Sequence, residues 1–206
     1  MDSYISAKRR IPQQERGERR VADLLEAAAS ELADVGYEAA TMRAIASRAG
    51  ASIGAIYQYF PNKEAVVSAL RTQYVNEMEH QWIRLEQQTT GLSVKERTEG
   101  FVDAMIHFME EHPAFIAILD APTNSRRDKK LSDQIRVRLA NVLRARRPKI
   151  SQEQAYRVAA VSLQMIKAMN ALYVEAKPQE RHGIIKEYKL ALVAYLEKRW
   201  QSLEEK

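Results

Sequence analysis

Apolar residues recur at intervals of three and four along almost the whole chain, and that period decides the fold class before any motif is considered. From Arg16 to Val35 the series Val21, Leu24, Leu25, Ala28, Leu32 and Val35 marks one face of a first helix, and Gly36 supplies its stop. Thr41 caps a short helix whose Ile45, Ala46 and Ala49 face inward, and Gly50-Ala51-Ser52 interrupts it. Ser52 caps a second short helix, which ends at Phe60 because Pro61 pushes the preceding residue out of helical geometry. Asn62 then caps a long helix carrying Val66, Val67, Leu70, Tyr74, Met78 and Leu85. Helices are predicted further on at 94–111, 113–120, 130–147, 151–176 and 181–203, and no stretch shows the two-residue alternation of a strand. The chain is expected to be all-α.

Composition closes off several chemistries. The 206 residues include no Cys, which removes disulfides, iron–sulfur clusters, thiolate zinc sites and a cysteine nucleophile together, and suits a reducing cytoplasm. No segment approaches the roughly 18 apolar residues of a membrane span, so no membrane partner is expected. Four scattered His, no metal-spaced cluster and no Gly-rich phosphate loop leave nothing on which to build a reaction, a metal site or a cofactor. His107 and Glu111 have i,i+4 spacing, but two ligands are too few for a metal.

The sequence pI near 9.4 makes a polyanionic partner plausible. Lys8, Arg9 and Arg10 stand in a basic arm, residues 1–16, read as a flexible tail with non-specific attraction for phosphate. Residues 126–149 are the most basic segment, yet Ile135, Leu139, Val142 and Leu143 form a core stripe there. Their Lys and Arg are therefore expected on the solvent face of an amphipathic helix. The last two helices are apolar on more than one face, as in Val158, Val161, Met165, Leu172, then Ile184, Tyr188, Leu192 and Trp200. Such helices need burial on two sides, so a homodimer through 151–176 and 181–203 is expected.

The most specific stretch is TMRAIASRAGASIGAIYQYFPNKE, which begins at Thr41. Two short helices joined at a Gly turn form a helix-turn-helix, whose second helix presents its N-terminal residues to a DNA major groove. Here that helix, 53–59, is surfaced by small or hydrogen-bonding residues, with Ile56 and Phe60 behind as the core face. Taken together, the amphipathic first helix, the Thr-capped second, the G-A-S-x-G-x-I-Y-Q-Y-F run and the following P-N-K-E resemble the DNA-binding region of TetR-family transcriptional regulators, over residues 17 to 65. The resemblance implies that Thr41, Tyr57, Tyr59 and Lys63 contact phosphate, that Arg43, Ser52, Ile53, Ala55 and Gln58 lie nearest the bases, and that Gly54 belongs to the same DNA-binding surface. It divides the chain into a helix-turn-helix domain, 17–63, and a helical ligand-binding and dimerisation domain, 64–206.

A pocket is implied by the same resemblance within the helices after residue 64. Its candidate lining is Trp82, Phe101, Met105, Phe108, Met109, Phe115, Ile118, Met165, Met169 and Tyr173, with Asn170 and His107 as polar anchors. The expected function is a homodimeric, cytoplasmic, sequence-specific DNA-binding regulator, a repressor released from a palindromic operator by a small-molecule effector. The alternative is an architectural DNA-binding protein that answers to no effector.

Overall fold

The computed structural model describes residues 13–88, 91–122 and 126–201, and every regular element among them is a helix. In chain order these are α1 (Gln13–Ala39), α2 (Met42–Arg48), α3 (Ile53–Tyr59), α4 (Lys63–Gln88), α5 (Val94–Glu111), α6 (Phe115–Asp120), α7 (Arg126–Arg146), α8 (Gln152–Glu175) and α9 (Pro178–Gln201). Lys8, Arg9 and Arg10 of the basic arm lie outside the described residues.

Local chemistry accounts for most of these boundaries. Thr41 Oγ1 accepts from the Ala44 amide at 3.1 Å, Ser52 Oγ from Ala55 at 3.2 Å and Asn62 Oδ1 from Ala65 at 2.8 Å, so α2, α3 and α4 each start at a side-chain cap. Ser93 with Glu96 and Ser151 with Gln154 close reciprocal capping boxes at the starts of α5 and α8. Pro178 opens α9, a position that needs no amide donor. The predicted stop at Gly36 is a pause: with φ 75° and ψ 175° it interrupts α1, and one further turn follows to Ala39.

The α1 face of Leu24, Ala28 and Leu32 is buried in one core with Ile45 of α2 and Ile56 of α3, both fully covered, and α1 packs on α2, α4 and α6. The same core continues through Val66, Val67, Leu70, Tyr74 and Met78 of α4 into Val102, Met105, Phe108 and Met109 of α5, so α4 belongs to both the small N-terminal head and the larger helical body. Tyr74, Phe108 and Phe115 meet edge-on or tilted, with ring centroids 5.3 to 6.3 Å apart, at the centre of the body. α7 and α8 form an extended pair over their own small cluster of Ala140, Ile150, Ala155 and Ala159, and α9 packs on α5 and α8. No helix among the described residues is long and apolar enough to cross a membrane.

Candidate nucleic-acid interface and ligand cavity

The turn between α2 and α3 depends on one residue. Gly50 adopts φ 57°, the left-handed conformation that ends α2, and the Ala51 amide reaches back to the Ala46 carbonyl at 2.9 Å. The chain then passes directly into Ser52 and α3. Ile56 and Phe60 are buried, which turns the opposite side outward: Ser52, Ile53, Gly54, Tyr57, Gln58 and Tyr59 are exposed, and Ala55 is half-covered. Ile53 and Tyr57 keep 42% and 52% of their surface exposed, a poor position for large apolar groups that have nothing to meet. Thr41 and Arg43, at the start of α2, are exposed as well. Of the expected base-facing and phosphate-facing residues, all but Ala55 and Lys63 are exposed.

Two ion contacts hold this surface in place, and neither was foreseen from sequence. Arg48, at the end of α2, donates to Glu31 Oε2 at 3.0 Å and to Asp34 Oδ2 at 2.7 Å, tying α2 to α1. Lys63 Nζ donates to the Tyr37 carbonyl at 2.6 Å and to the Glu38 carbonyl at 3.3 Å, and lies 4.3 Å from the centre of the Tyr37 ring. The resemblance assigns Lys63 to phosphate, whereas two of its three N–H donors here secure the last turn of α1 to the start of α4.

In the body, a cavity of about 180 Å³ opens among α4, α5, α7, α8 and α9. Its floor is made by the buried Thr98, Ser162, Ile166 and Leu192, and its walls by Trp82, Phe101, Leu139 and Trp200; the Trp82 and Phe101 rings are 5.4 Å apart. The Ser162 hydroxyl is buried with no hydrogen-bond partner among the described residues. Arg97, Arg138, Arg146 and Glu86 stand half-buried at the rim. Arg138 pairs with Glu79 of α4, Arg146 Nη2 lies 3.7 Å from Glu86 Oε1, and Arg97 donates to the Leu92 carbonyl. Burial first, and then the neighbouring Arg146 guanidinium, pull the Arg97 pKa below its ordinary value.

The expected pocket residues divide. Trp82 and Phe101 line this cavity. Met105, Phe108, Met109, Phe115 and Ile118 are instead buried in the central core, while Met165 and Met169 pack half-covered against it. Tyr173 is directed elsewhere, its hydroxyl donating to Glu110 Oε1 at 3.0 Å. Asn170 is buried away from the cavity lining, and His107 is exposed and paired with Glu111 at 3.3 Å. The solvent-face expectation for residues 126–149 needs correction at two positions, because Arg138 and Arg146 line the cavity rim and pair with carboxylates of α4. Their spacing of eight, with Val142 between them, was the available signal.

A short capped helix held outward on a braced head, carried by a helical body that encloses an apolar cavity, defines a class: the DNA-binding transcriptional regulators with a helix-turn-helix head. The sequence model for bacterial regulatory proteins of the tetR family matches residues 24–70, and that for the tetracyclin repressor-like C-terminal domain matches residues 93–196. The chain belongs to the TetR family of transcriptional regulators.

Solved structures agree on the fold. A TetR-family transcriptional regulator from Streptomyces coelicolor is 24% identical with a TM-score of 0.69, covering 87% of this chain and 98% of that one. A transcriptional regulator from Rhodococcus sp. Rha1 is 19% identical with a TM-score of 0.67, over 86% of this chain and 96% of that one. The transcriptional regulator FadR from Bacillus subtilis, in complex with stearoyl-CoA, is 15% identical with a TM-score of 0.60, over 84% and 98%. No curated protein matches the chain.

Proposed function

We propose that the chain is a cytoplasmic homodimeric repressor that binds a palindromic operator and is released from it by a small-molecule effector. The observation that carries this reading is the continuity of α4. Its first residue, Lys63, is bonded to the head, while Trp82, Leu85 and Glu86 near its end line the cavity. A ligand that shifts α4 therefore shifts the head. Two copies bound to DNA need their recognition helices about 34 Å apart, or a multiple of that, to enter successive major grooves. An effector with higher affinity for a different spacing lowers operator affinity by that difference. The cavity favours this reading over an architectural protein without an effector. That FadR is in complex with stearoyl-CoA supports a ligand role for a body of this fold.

The exposed apolar residues of the last two helices support the dimer. Val161, Ala168 and Leu172 share one exposed face of α8, and Leu190 and Ala194 one of α9. Leu190 keeps 64% of its surface and Leu172 48%, and a second copy that covers them completes a four-helix interface. Domain limits at 17–63 and 64–206 follow the same division of labour, with α4 as the shared strut.

Selection of bound sequences from a random DNA pool, run at two salt concentrations, tests the reading. An enriched inverted repeat is the expected result. Binding without enrichment, fading as salt rises, would overturn it in favour of the architectural protein.

A further inference from the structure

The cavity described above has two chemically different ends. Its floor and walls carry no charge: beside the hydroxyls of Thr98 and Ser162 they are hydrocarbon and aromatic, with Ile166, Leu192, Trp82 and Phe101. Its rim carries three arginines against one glutamate, all half-buried. Half-burial matters here because a guanidinium keeps its charge under all ordinary conditions and costs free energy wherever water is partly withdrawn. Arg138 and Arg146 answer carboxylates of α4, whereas the hydrogen bond of Arg97 goes to a main-chain carbonyl. Arg97 and Arg146 line the same cavity, and the Arg146 charge, after burial, disfavours that of Arg97. An oxyanion between them relieves that repulsion and uses the fork geometry of both side chains.

We propose that the cavity takes an anionic amphiphile, with its apolar body against Trp82, Phe101 and Ile166 and a carboxylate or phosphate head held by Arg97 and Arg146. This rests on the reading of the cavity as the effector site and narrows it to a ligand class. Neutral aromatic compounds and lipophilic cations fit the floor but leave the rim charge unanswered. Cations meet repulsion there as well.

The molecule contains its own probe, since both of its tryptophans, Trp82 and Trp200, line the cavity. Intrinsic fluorescence of the full chain is titrated with decanoate, decanol and decylammonium, three ligands of one tail and different heads. Decanoate is expected to bind about tenfold more tightly than decanol, the gain from one charge-assisted pair, and decylammonium more weakly than either. The double variant Arg97→Gln with Arg146→Gln is expected to bring decanoate to the decanol level while decanol binding stays as it was. Equal affinity for decanoate and decanol, or a preference for decylammonium, overturns the anionic head and leaves the effector cavity standing. Undiminished decanoate binding in the double variant overturns the assignment to these two arginines. A fluorescence signal that none of the three ligands changes overturns the cavity reading itself.

Discussion

Arg71 on α4 donates through Nη2 to the Ile118 carbonyl of α6 at 2.8 Å, across 47 residues of sequence. The same nitrogen donates to the Ala121 carbonyl at 3.0 Å, so one buried guanidinium secures the end of α6, where carbonyls lack helical partners. α6 in turn packs on α1 of the head. α4 therefore reaches the head twice, directly through Lys63 and indirectly through α6. Arg71→Met is expected to leave these carbonyls unanswered, at a cost of about 2 kcal/mol and a fall in Tm of roughly 4–8 °C. Operator release by an effector should weaken too. A variant that melts as the parent does and responds fully to its effector would show that the contact neither stabilises nor transmits.

The two glycines at the borders of α1 and α2 call for different replacements. A Cβ at Gly36 or Gly50 meets no atom within 4 Å, so any cost of Ala there comes from the backbone alone. Gly50 is left-handed, a region Asn tolerates. Gly36, at φ 75° and ψ 175°, is in a region reserved almost wholly to glycine. Gly50→Ala should cost about 1–2 kcal/mol in denaturant unfolding and Gly50→Asn less than that. Gly36→Ala and Gly36→Asn should both cost about 1–3 kcal/mol. Rescue by Asn at position 36 would contradict this account.

Gln58 and Tyr57 are exposed neighbours on α3 with different expected partners. Gln58→Ala removes a group able to pair with a base edge, so binding to the preferred sequence should fall by about 1–3 kcal/mol and selectivity at one base pair per half-site should relax. Tyr57→Phe removes the hydroxyl proposed to meet phosphate and should weaken all sequences alike, by about 1 kcal/mol. Quantitative binding to a library of single-base operator variants separates the two. Equal relaxation of selectivity by both substitutions would refute the division.

Leu172→Asp and Leu190→Asp place charges on the faces of α8 and α9 assigned to the partner copy. Since both residues are exposed within one chain, each variant should fold. Sedimentation should give a monomer. Operator affinity should fall by about 10²-fold or more, because the second half-site is no longer bound at high effective concentration. A dimer that survives both substitutions would move the interface elsewhere.

The capping box of α5 has a pH signature. The Ser93 hydroxyl first, and the Ser93 amide second, hold the Glu96 carboxylate below its ordinary pKa. A carboxyl whose pKa is depressed in the folded state contributes stability above the unfolded value, and that contribution disappears as pH falls through the folded one. Glu96→Gln keeps the shape and removes the charge. The parent should therefore be the more stable near neutrality, with the gap closing in acid. Denaturation midpoints of both proteins across that range provide the check, and a constant gap would exclude an electrostatic origin.

The features visible in sequence are those set by neighbours along the chain. Caps at Thr41, Ser52 and Asn62, the period of Leu24, Ala28 and Leu32, and the break at Gly50 each involve residues within one or two turns, and the structure reproduces them. The outward face of α3 followed, because burying Ile56 and Phe60 fixes the opposite side. The cavity was only partly legible. Five helices converge on it, and nothing local tells Phe101, which lines it, from Phe108, which fills the core about two turns further on. Arg138 and Arg146 read as solvated because amphipathic spacing locates a buried stripe and says nothing of what stands at its edges. The tie of Lys63 to α1 was not legible for a similar reason, since its partners lie 25 and 26 residues earlier, at a turn whose geometry depends on Gly36.

In the proposed reading, attraction and choice fall to different helices of this head. The outward face of α3 has no lysine or arginine, while Arg16 and Arg19 are exposed in the early turns of α1. Ions in solution compete with the second group and hardly touch the contacts made by the first. A change in ionic strength should then rescale the protein's hold on every DNA sequence by nearly the same factor. The order in which it ranks those sequences stays as α3 sets it, so a cell whose salt balance drifts would find the regulator looser or tighter on its sites but still on the same ones.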